Sequence, residues 1–331
     1  MSNPLSTLIF AGMNNVKDPA ELDVSTGEAA LLANVYATNG GGFRLREGRT
    51  SVQSGEFHSG WSNGSRAFVV KGTWLYEFDG TYLSPLANVR AGLPMAYCQV
   101  NSLIVASNGA DYLIIDQYGA SPASPDLSRK ITTESGEESI CYKVAPPAGQ
   151  CLAFYHGRLF IASGGIVYCT DSLTVDTCDM RKMIVDAYDG TVTALLPVDD
   201  GIYVGTTTEI NFLSGPDPFA EGGFIKKRVA GYGIIYGTGV ITDAAKVPRL
   251  EIPGTVAVFA TPQGVCYGGN GGVFRNESLG VVSYQYGESG AAAMVENDGL
   301  THYVVSLPTT YDARNRYEPP VFDVETTGTD L

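Results

Sequence analysis

From residue 56 onward, short apolar runs alternate with glycine-containing turns. Asp-Gly and Asn-Gly between two apolar runs form the strongest short-range hairpin signal, because both central residues of the turn need a positive φ. Asp79-Gly80 and Asn108-Gly109 are such turns, and Gly164-Gly165 joins two further runs. The pattern predicts six hairpins, which lie at residues 72–83, 101–115, 156–168, 200–212, 263–274 and 298–305.

Six hairpins at irregular spacing predict a series of small antiparallel sheets. A propeller blade of roughly 40–45 residues would fit about six times into this part of the chain. In a propeller each four-stranded blade buries both faces against its neighbours, which leaves only short edges. We therefore predict an all-β fold, a β-propeller of about six blades over residues 56–323. A β-sandwich or two separate β domains remains the alternative.

Residues 1–55 have a different pattern. Ser25 and Glu28 have the spacing of a capping box, and Ala29, Leu32, Ala33 and Tyr36 follow at helical spacing. This predicts one short helix of about three turns in an N-terminal anchoring segment. Polar, turn-rich stretches at 118–140 and 214–239 are expected to be loops, and residues 324–331 a flexible tail.

Composition agrees with a globular β-protein. The chain of 331 residues has 44% hydrophobic residues, 40 glycines, 19 tyrosines and 13 phenylalanines, a mixture of turn and strand formers. Its net charge of −14 disfavours tight binding of DNA or an anionic membrane, although DNA could still slide past. Residues 1–10 lack signal-peptide character and no apolar run is long enough to cross a membrane, so we expect a soluble protein made in the cytoplasm.

The cysteines do not form a recognisable framework. None is part of a CxxC pair and most lie within apolar runs, so we expect free, buried thiols. The six are Cys98, Cys141, Cys151, Cys169, Cys178 and Cys266.

Motifs for enzymatic chemistry are missing from the sequence. His58, His156 and His302 are isolated, and no nucleophile elbow, dinucleotide fingerprint or phosphate loop is present. Asp171, Asp176 and Asp179 do not have the spacing of a calcium loop. We therefore expect no catalytic residues, no cofactor and no metal.

One basic cluster stands out in the acidic chain. Lys226, Lys227 and Arg228 are consecutive. They either form a solvated strand edge that opposes aggregation or make a salt-bridged contact to an acidic neighbouring subunit.

The opening segment resembles that of phage tail structural proteins. Its motif consists of residues 12–15 (Gly-Met-Asn-Asn), Gly27-Glu28, Asn34-Val35 and the stretch from Gly42 to Gly48. Propeller-bearing tail nozzle and tail hub proteins of short-tailed phages are the group that it looks most like.

This resemblance implies a non-enzymatic virion protein, assembled in the host cytoplasm into a sixfold ring of its own copies. The ring would contact the head–tail connector or adaptor and other tail proteins, and it would enclose a channel through which genomic DNA passes without sticking. Alternatives are a head–tail joining or fibre-adaptor protein of the phage neck and, from another class, a propeller that binds or hydrolyses carbohydrate.

Overall fold

The computed structural model describes residues 12–22, 27–29, 35–38, 42–45, 51–125, 131–132, 138–139, 142–247, 252–284, 286–297 and 299–308. Within these ranges the chain is almost entirely β-structure, and the helical elements are single 3-10 turns at Pro19–Glu21, Ala244–Lys246 and Asn270–Gly272.

Five four-stranded antiparallel sheets follow one another along the chain. The first comprises β5 (Phe57–Ser62), β6 (Ala67–Lys71), β7 (Trp74–Phe78) and β8 (Leu83–Asn88). The second comprises β9 (Ala96–Val100), β10 (Leu103–Ser107), β11 (Tyr112–Ile115) and β12 (Ala120–Pro122). The third comprises β16 (Cys151–Tyr155), β17 (Arg158–Ser163), β18 (Ile166–Cys169) and β20 (Ile184–Ala187). The fourth comprises β21 (Val192–Val198), β22 (Gly201–Thr206), β23 (Ile210–Ser214) and β24 (Ile225–Ala230). The fifth comprises β25 (Val240–Asp243), β26 (Thr255–Thr261), β27 (Gly264–Gly269) and β28 (Val273–Asn276).

The remaining strands form two-stranded pairs. β1 (Gly12–Met13) pairs in parallel with β2 (Glu28–Ala29), and β3 (Val35–Ala37) pairs with β4 (Phe43–Leu45). β13 (Ile131–Thr132) pairs with β14 (Glu138–Ser139), and β15 (Lys143–Val144) pairs with β19 (Cys178–Asp179). β29 (Ala291–Asn297) pairs with β30 (Leu300–Ser306).

The buried apolar side chains form layers between successive sheets. Phe160 of the third sheet packs with Ile202 of the fourth, and Phe212 of the fourth packs with Phe259 of the fifth. Similar layers join the first sheet to the second, the second to the third and the fifth to the β29–β30 pair. From the second sheet onward, the first strands of successive units lie next to one another. β9 contacts β16, β16 contacts β21, β21 contacts β25, and β25 contacts β29. Small antiparallel sheets that pack face to face, with their first strands arranged around a central channel, form a β-propeller.

The first and last parts of the described chain contact each other. The Asn15 side chain accepts a hydrogen bond from the backbone N–H of Ser283 and donates one to its carbonyl, each 2.7 Å long. Arg44 donates a hydrogen bond to Asn297, and the rings of Tyr36 and His302 lie 5.6 Å apart. Strands β1–β4 therefore contact the last part of the described chain, including β29–β30.

The all-β prediction is confirmed, and so are the five hairpins between residues 72 and 274, which coincide with adjacent strands of the five sheets. The sixth predicted hairpin corresponds to β29–β30, with residue 298 outside the described residues. The predicted tail at 324–331 lies outside them as well.

The short helix predicted from residue 29 to residue 36 is wrong wherever this stretch is described. Glu28–Ala29 and Val35–Ala37 are strands, and residues 30–34 lie outside the described part. The Glu28 carboxylate accepts hydrogen bonds from Asn14 (3.2 Å) and Lys17 (3.0 Å) beside the parallel pair β1–β2. At the described positions the pairing of β2 with β1 and of β3 with β4 has overridden the local helical pattern.

The expected loop at 214–239 also needs correction. Its middle forms β24, which pairs with β23 and completes the fourth sheet. Because Ile225 to Arg228 are all exposed, the alternation of buried and exposed positions that identifies a strand is missing here.

Candidate functional site: the basic outer strand

The basic cluster lies on β24, the outer strand of the fourth sheet. Lys226, Lys227 and Arg228 are paired in register with Leu213, Phe212 and Asn211 of β23. No strand pairs with the other edge of β24 within the part of the chain that is described. Ile225, at the start of β24, is 69% exposed. The cluster is thus carried by an open strand edge.

Two of the three charges have partners within the chain. Lys226 Nζ lies 2.9 Å from Asp186 Oδ2 on the third sheet, and 3.9 Å from the centre of the Tyr188 ring. Arg228 Nε lies 3.1 Å from Glu209 Oε2. Lys227 forms no ion pair with any described residue. The uncompensated charge of the cluster is therefore that of Lys227.

These contacts bear on both sequence interpretations. A charged, solvated strand edge is present, as the first interpretation requires. The salt bridges of Lys226 and Arg228 are made within the chain, so a contact to a neighbouring subunit would depend chiefly on Lys227 and on the backbone of β24. That contact remains a prediction.

The three histidines make separate contacts. His58 Nδ1 lies 2.9 Å from Ser59 Oγ, and His156 Nε2 lies 3.4 Å from the carbonyl oxygen of Asp199. His302 packs on Tyr36, and its buried Nε2 has no hydrogen-bond partner among the described residues. Each histidine packs in a different part of the fold.

A cluster of charged groups does exist around Asp179. Its carboxylate accepts two hydrogen bonds from the Arg181 guanidinium, 3.0 and 2.8 Å long, and one from the Arg181 backbone N–H. Lys143 Nζ lies 3.5 Å from Asp179 and also contacts Asp171. The Arg181 hydrogen bonds, with help from Lys143, hold the pKa of Asp179 well below its usual range against the opposing effect of burial.

Lys143 and Arg181 thus neutralise the carboxylates of Asp171 and Asp179. Lys143 reaches them because β15 pairs with β19, which places Lys143 opposite Asp179. Among the described residues no group of three or more histidine, cysteine or acidic side chains could hold a metal ion.

The described cysteines are poor nucleophiles. Cys169 and Cys178 are 1% and 0% exposed, and burial raises the pKa of each to about 12. A thiol with so high a pKa is protonated at neutral pH. The five described cysteines are free, and Cys141 lies outside the described residues.

Comparison with known proteins finds weak structural likenesses. No family model matches the chain, and no curated protein matches it. Sqt1 of Chaetomium thermophilum is 12% identical with a TM-score of 0.45, and the match covers 82% of this chain and 72% of that one. The N-terminal domain of Nup159 is 9% identical with a TM-score of 0.44, covering 74% of this chain and 71% of that one. A computationally designed protein, Ika8, is 12% identical with a TM-score of 0.44, covering 76% and 71%.

These likenesses are too weak to carry an argument about function. No described helix is both long and apolar enough to span a membrane. The basic strand β24, with its unpaired outer edge, is therefore the candidate functional site among the described residues.

Proposed function

We propose that this chain is a structural subunit of a phage tail, a ring component that extends or closes the DNA channel. The observation that carries the proposal is β24, an open basic strand edge on a chain whose net charge is −14. Such an edge is complementary to the acidic surface of another copy. Contacts between two different patches of identical subunits generate rings when the rotation closes. The resemblance of the opening segment to phage tail proteins supports the same assignment.

We further propose that the propeller has six blades and that strands from the first and last described parts of the chain build the sixth. Five blades are the four-stranded sheets, and the sixth position would combine β29–β30 with β3–β4. Tyr303 of β30 donates a hydrogen bond to the carbonyl of Thr238 beside the fifth sheet, and Tyr36 of β3 packs on His302. In this arrangement the opening segment closes the propeller, in addition to any role as an anchor.

The test of the function is deletion of the gene from the phage genome that carries it. We expect filled or leaking heads, particles without the distal part of the tail, and no infectious progeny, because the channel would be incomplete. Complementation in trans should restore infectivity. Tailed and fully infectious particles without this protein would exclude the role in the channel.

Charge reversal of Lys227 is the matching test of the subunit contact. We expect Lys227→Glu to raise the concentration needed for ring formation about tenfold, since one close charge pair contributes roughly 1.4 kcal/mol when partly desolvated. The effect should be larger at low salt, where screening is weakest. The measurement is sedimentation velocity at two ionic strengths, supported by negative-stain images.

Arg90→Glu is the control, because it changes the net charge equally at an exposed position in the connection between the first and second sheets. Assembly of Lys227→Glu at the wild-type concentration in low salt would remove the basic cluster from the contact. The triple variant with Glu at positions 226, 227 and 228 should be weaker still, but it also breaks the ion pairs to Asp186 and Glu209.

A further inference from the structure

We propose that β24 of one copy docks on a groove between the second and third sheets of a second copy. Ile225 enters the groove, and Lys227 pairs with the carboxylate of Asp176 at its mouth. This inference rests on the proposed function and deepens it, because it names the surface that receives the basic strand. The juxtaposition behind it is an exposed apolar–basic pair on one face of a strand and an apolar groove bordered by an acid.

The groove lies between the turn that joins β9 to β10 and the loop that follows β18. Its volume is about 410 Å³, which is within the range of ligand pockets. The Tyr112 hydroxyl donates a hydrogen bond to the carbonyl of Val175, so the loop is fixed to the second sheet. The groove is thus formed before a partner binds, which lowers the cost of docking. Its apolar lining consists of Val100, Leu103, Ile114, Leu173 and Val175.

Leu173, at the rim of the groove, has an unusual conformation. Its φ of 61° lies in the left-handed region, which leucine seldom adopts, and the residue is 85% exposed. Its backbone N–H donates a 2.7 Å hydrogen bond to the carbonyl of Gly157, which holds the loop in this conformation. Strained residues persist where the surrounding structure fixes them, and they cluster at binding sites. The strain therefore supports a binding role for this exposed leucine.

Asp176 supplies the acidic group at the mouth of the groove. Its Oδ1 accepts a 2.8 Å hydrogen bond from the Thr177 hydroxyl. It forms no ion pair with any residue in the described ranges, whereas Lys143 contacts both Asp171 and Asp179. An uncompensated carboxylate beside an apolar groove is complementary to an apolar side chain that has a cation next to it.

The strand β24 presents this combination on one face. Lys227 lies opposite Phe212 of β23, and Phe212 packs with Phe259 of the fifth sheet. Residues directly opposite one another share a face of the sheet, and so do residues two apart in a strand. Ile225 and Lys227 therefore lie on the same face of β24. Ile225 is exposed, and Lys227 has no ion pair with a described residue.

The groove and β24 of one copy cannot reach each other. The third sheet lies between them, and Lys226, on the other face of β24, pairs with Asp186 of that sheet. Ile225 in the groove must therefore come from another copy. The two patches are different surfaces of the same chain, so the contact is head-to-tail, the type that closes into rings.

Disulfide cross-linking between copies tests the inference. Full-length Leu173→Cys protein is mixed with full-length Ile225→Cys protein under mild oxidation, and cross-linked peptides are identified by mass. We expect a disulfide between positions 173 and 225 of different copies, because docking brings their Cα atoms within the roughly 7 Å that a disulfide needs. Leu279→Cys, at another exposed leucine outside the groove, replaces Leu173→Cys in the control mixture and should give no disulfide to position 225.

Sedimentation velocity in low salt gives a second readout. Asp176→Lys should raise the concentration needed for assembly about tenfold, as Lys227→Glu does, and the double variant should recover most of the loss. Leu173→Asn should also raise it about tenfold, because the buried apolar contact is lost. Asparagine tolerates the left-handed backbone, so the loop is kept. Glu56→Lys and Leu279→Asn, at exposed positions outside the groove, should assemble like the wild type.

Three results would overturn the inference. The first is a mixture of Leu173→Cys and Ile225→Cys that forms no more disulfide than the control mixture. The second is assembly of Asp176→Lys at the wild-type concentration, or a double variant with Lys227→Glu that recovers nothing. The third is a wild-type protein that stays monomeric at the highest concentration reached.

The failures of the two proposals are distinguishable. If the cross-link is absent and the deletion phage is not infectious, the docking contact is wrong but the tail function stands. If the deletion phage is infectious, the tail function is wrong even where positions 173 and 225 cross-link.

Discussion

Replacement of Tyr203 by alanine is expected to destabilise the protein by about 3–5 kcal/mol, the range for truncation of a large buried aromatic side chain. Tyr203 is 0% exposed and belongs to β22 of the fourth sheet. Its ring centre lies 4.8 Å from that of Phe212, and its hydroxyl oxygen lies 2.6 Å from the carbonyl oxygens of both Gly269 and Val273 in the fifth sheet. Tyr203 therefore packs on Phe212 within the fourth sheet and joins this sheet to the fifth by hydrogen bonding.

The surface of the fifth sheet at Gly268 packs closely against the Tyr203 ring. A Cβ on Gly268 would lie 2.5 Å from the Tyr203 ring, so the ring occupies the space that a side chain would take on the fifth sheet. Removal of the ring leaves a cavity beside Gly268 of β27, and such cavities are destabilising. For the same reason Gly268→Ala should destabilise by about 1–3 kcal/mol through overpacking.

The measurement is urea unfolding followed by tryptophan and tyrosine fluorescence at neutral pH. Tyr203→Phe separates the two contributions, because it keeps the ring and should lose only about 1–2 kcal/mol from the missing hydroxyl hydrogen bond. Tyr118→Ala is the control, since Tyr118 is 88% exposed and its loss should change stability by less than about 0.5 kcal/mol. A Tyr203→Ala protein as stable as Tyr118→Ala would contradict the packing between the fourth and fifth sheets.

Replacement of Asp179 by asparagine is expected to lower stability at neutral pH by about 2 kcal/mol, the contribution of hydrogen bonds to a charged group. The Asp179 side chain is only 3% exposed, and Arg181 and Lys143 compensate its charge. An asparagine keeps the shape but not the charge, so Arg181 loses its counter-ion and Lys143 keeps only its contact with Asp171. Asp179 thus joins β19 to Lys143 of β15 and to the turn that carries Arg181.

The pH dependence of this loss has a definite sign. Hydrogen bonds from Arg181 lower the pKa of Asp179 in the folded protein. A carboxylate with a lowered folded pKa stabilises the fold above its unfolded pKa of about 3.9. That stabilisation is lost progressively as the pH falls toward the folded pKa. The difference between wild type and Asp179→Asn should therefore be constant from about pH 5 to pH 7 and shrink below about pH 4.

Urea midpoints measured from pH 3 to pH 7 test this. Asp189→Asn is the matched control, because it makes the same chemical change at an exposed site outside the cluster and should leave the midpoints unchanged. A wild-type–variant difference that grows toward low pH would show that Asp179 is destabilised as a carboxylate, contrary to its contacts.

Local sequence determined the hairpins. The turns at Asp79-Gly80 and Asn108-Gly109, and the strands on either side of them, follow from residues that are near one another in the chain. Gly80 and Gly109 have φ values of 99° and 84°, which glycine adopts without strain. Because strand pairing across a tight turn needs no distant partner, the all-β class and the positions of five hairpins could be predicted.

The conformation of two other segments depended on contacts that the local sequence does not show. The stretch from Glu28 to Ala37 has a helical pattern, yet Glu28 pairs with Gly12 and Tyr36 packs on His302, near the other end of the chain. The strand β24 lacks alternation because its residues 225–228 are all exposed, so only its pairing with β23 identifies it.

The candidate site shows the same division. The sequence by itself determined that Lys226, Lys227 and Arg228 form the basic cluster of an acidic chain. Only the tertiary structure decided that Asp186 and Glu209 compensate Lys226 and Arg228 and that Lys227 is left without a described ion pair. Charge is a property of each residue, but the field at a surface depends on which opposite charges the fold brings within a few ångströms.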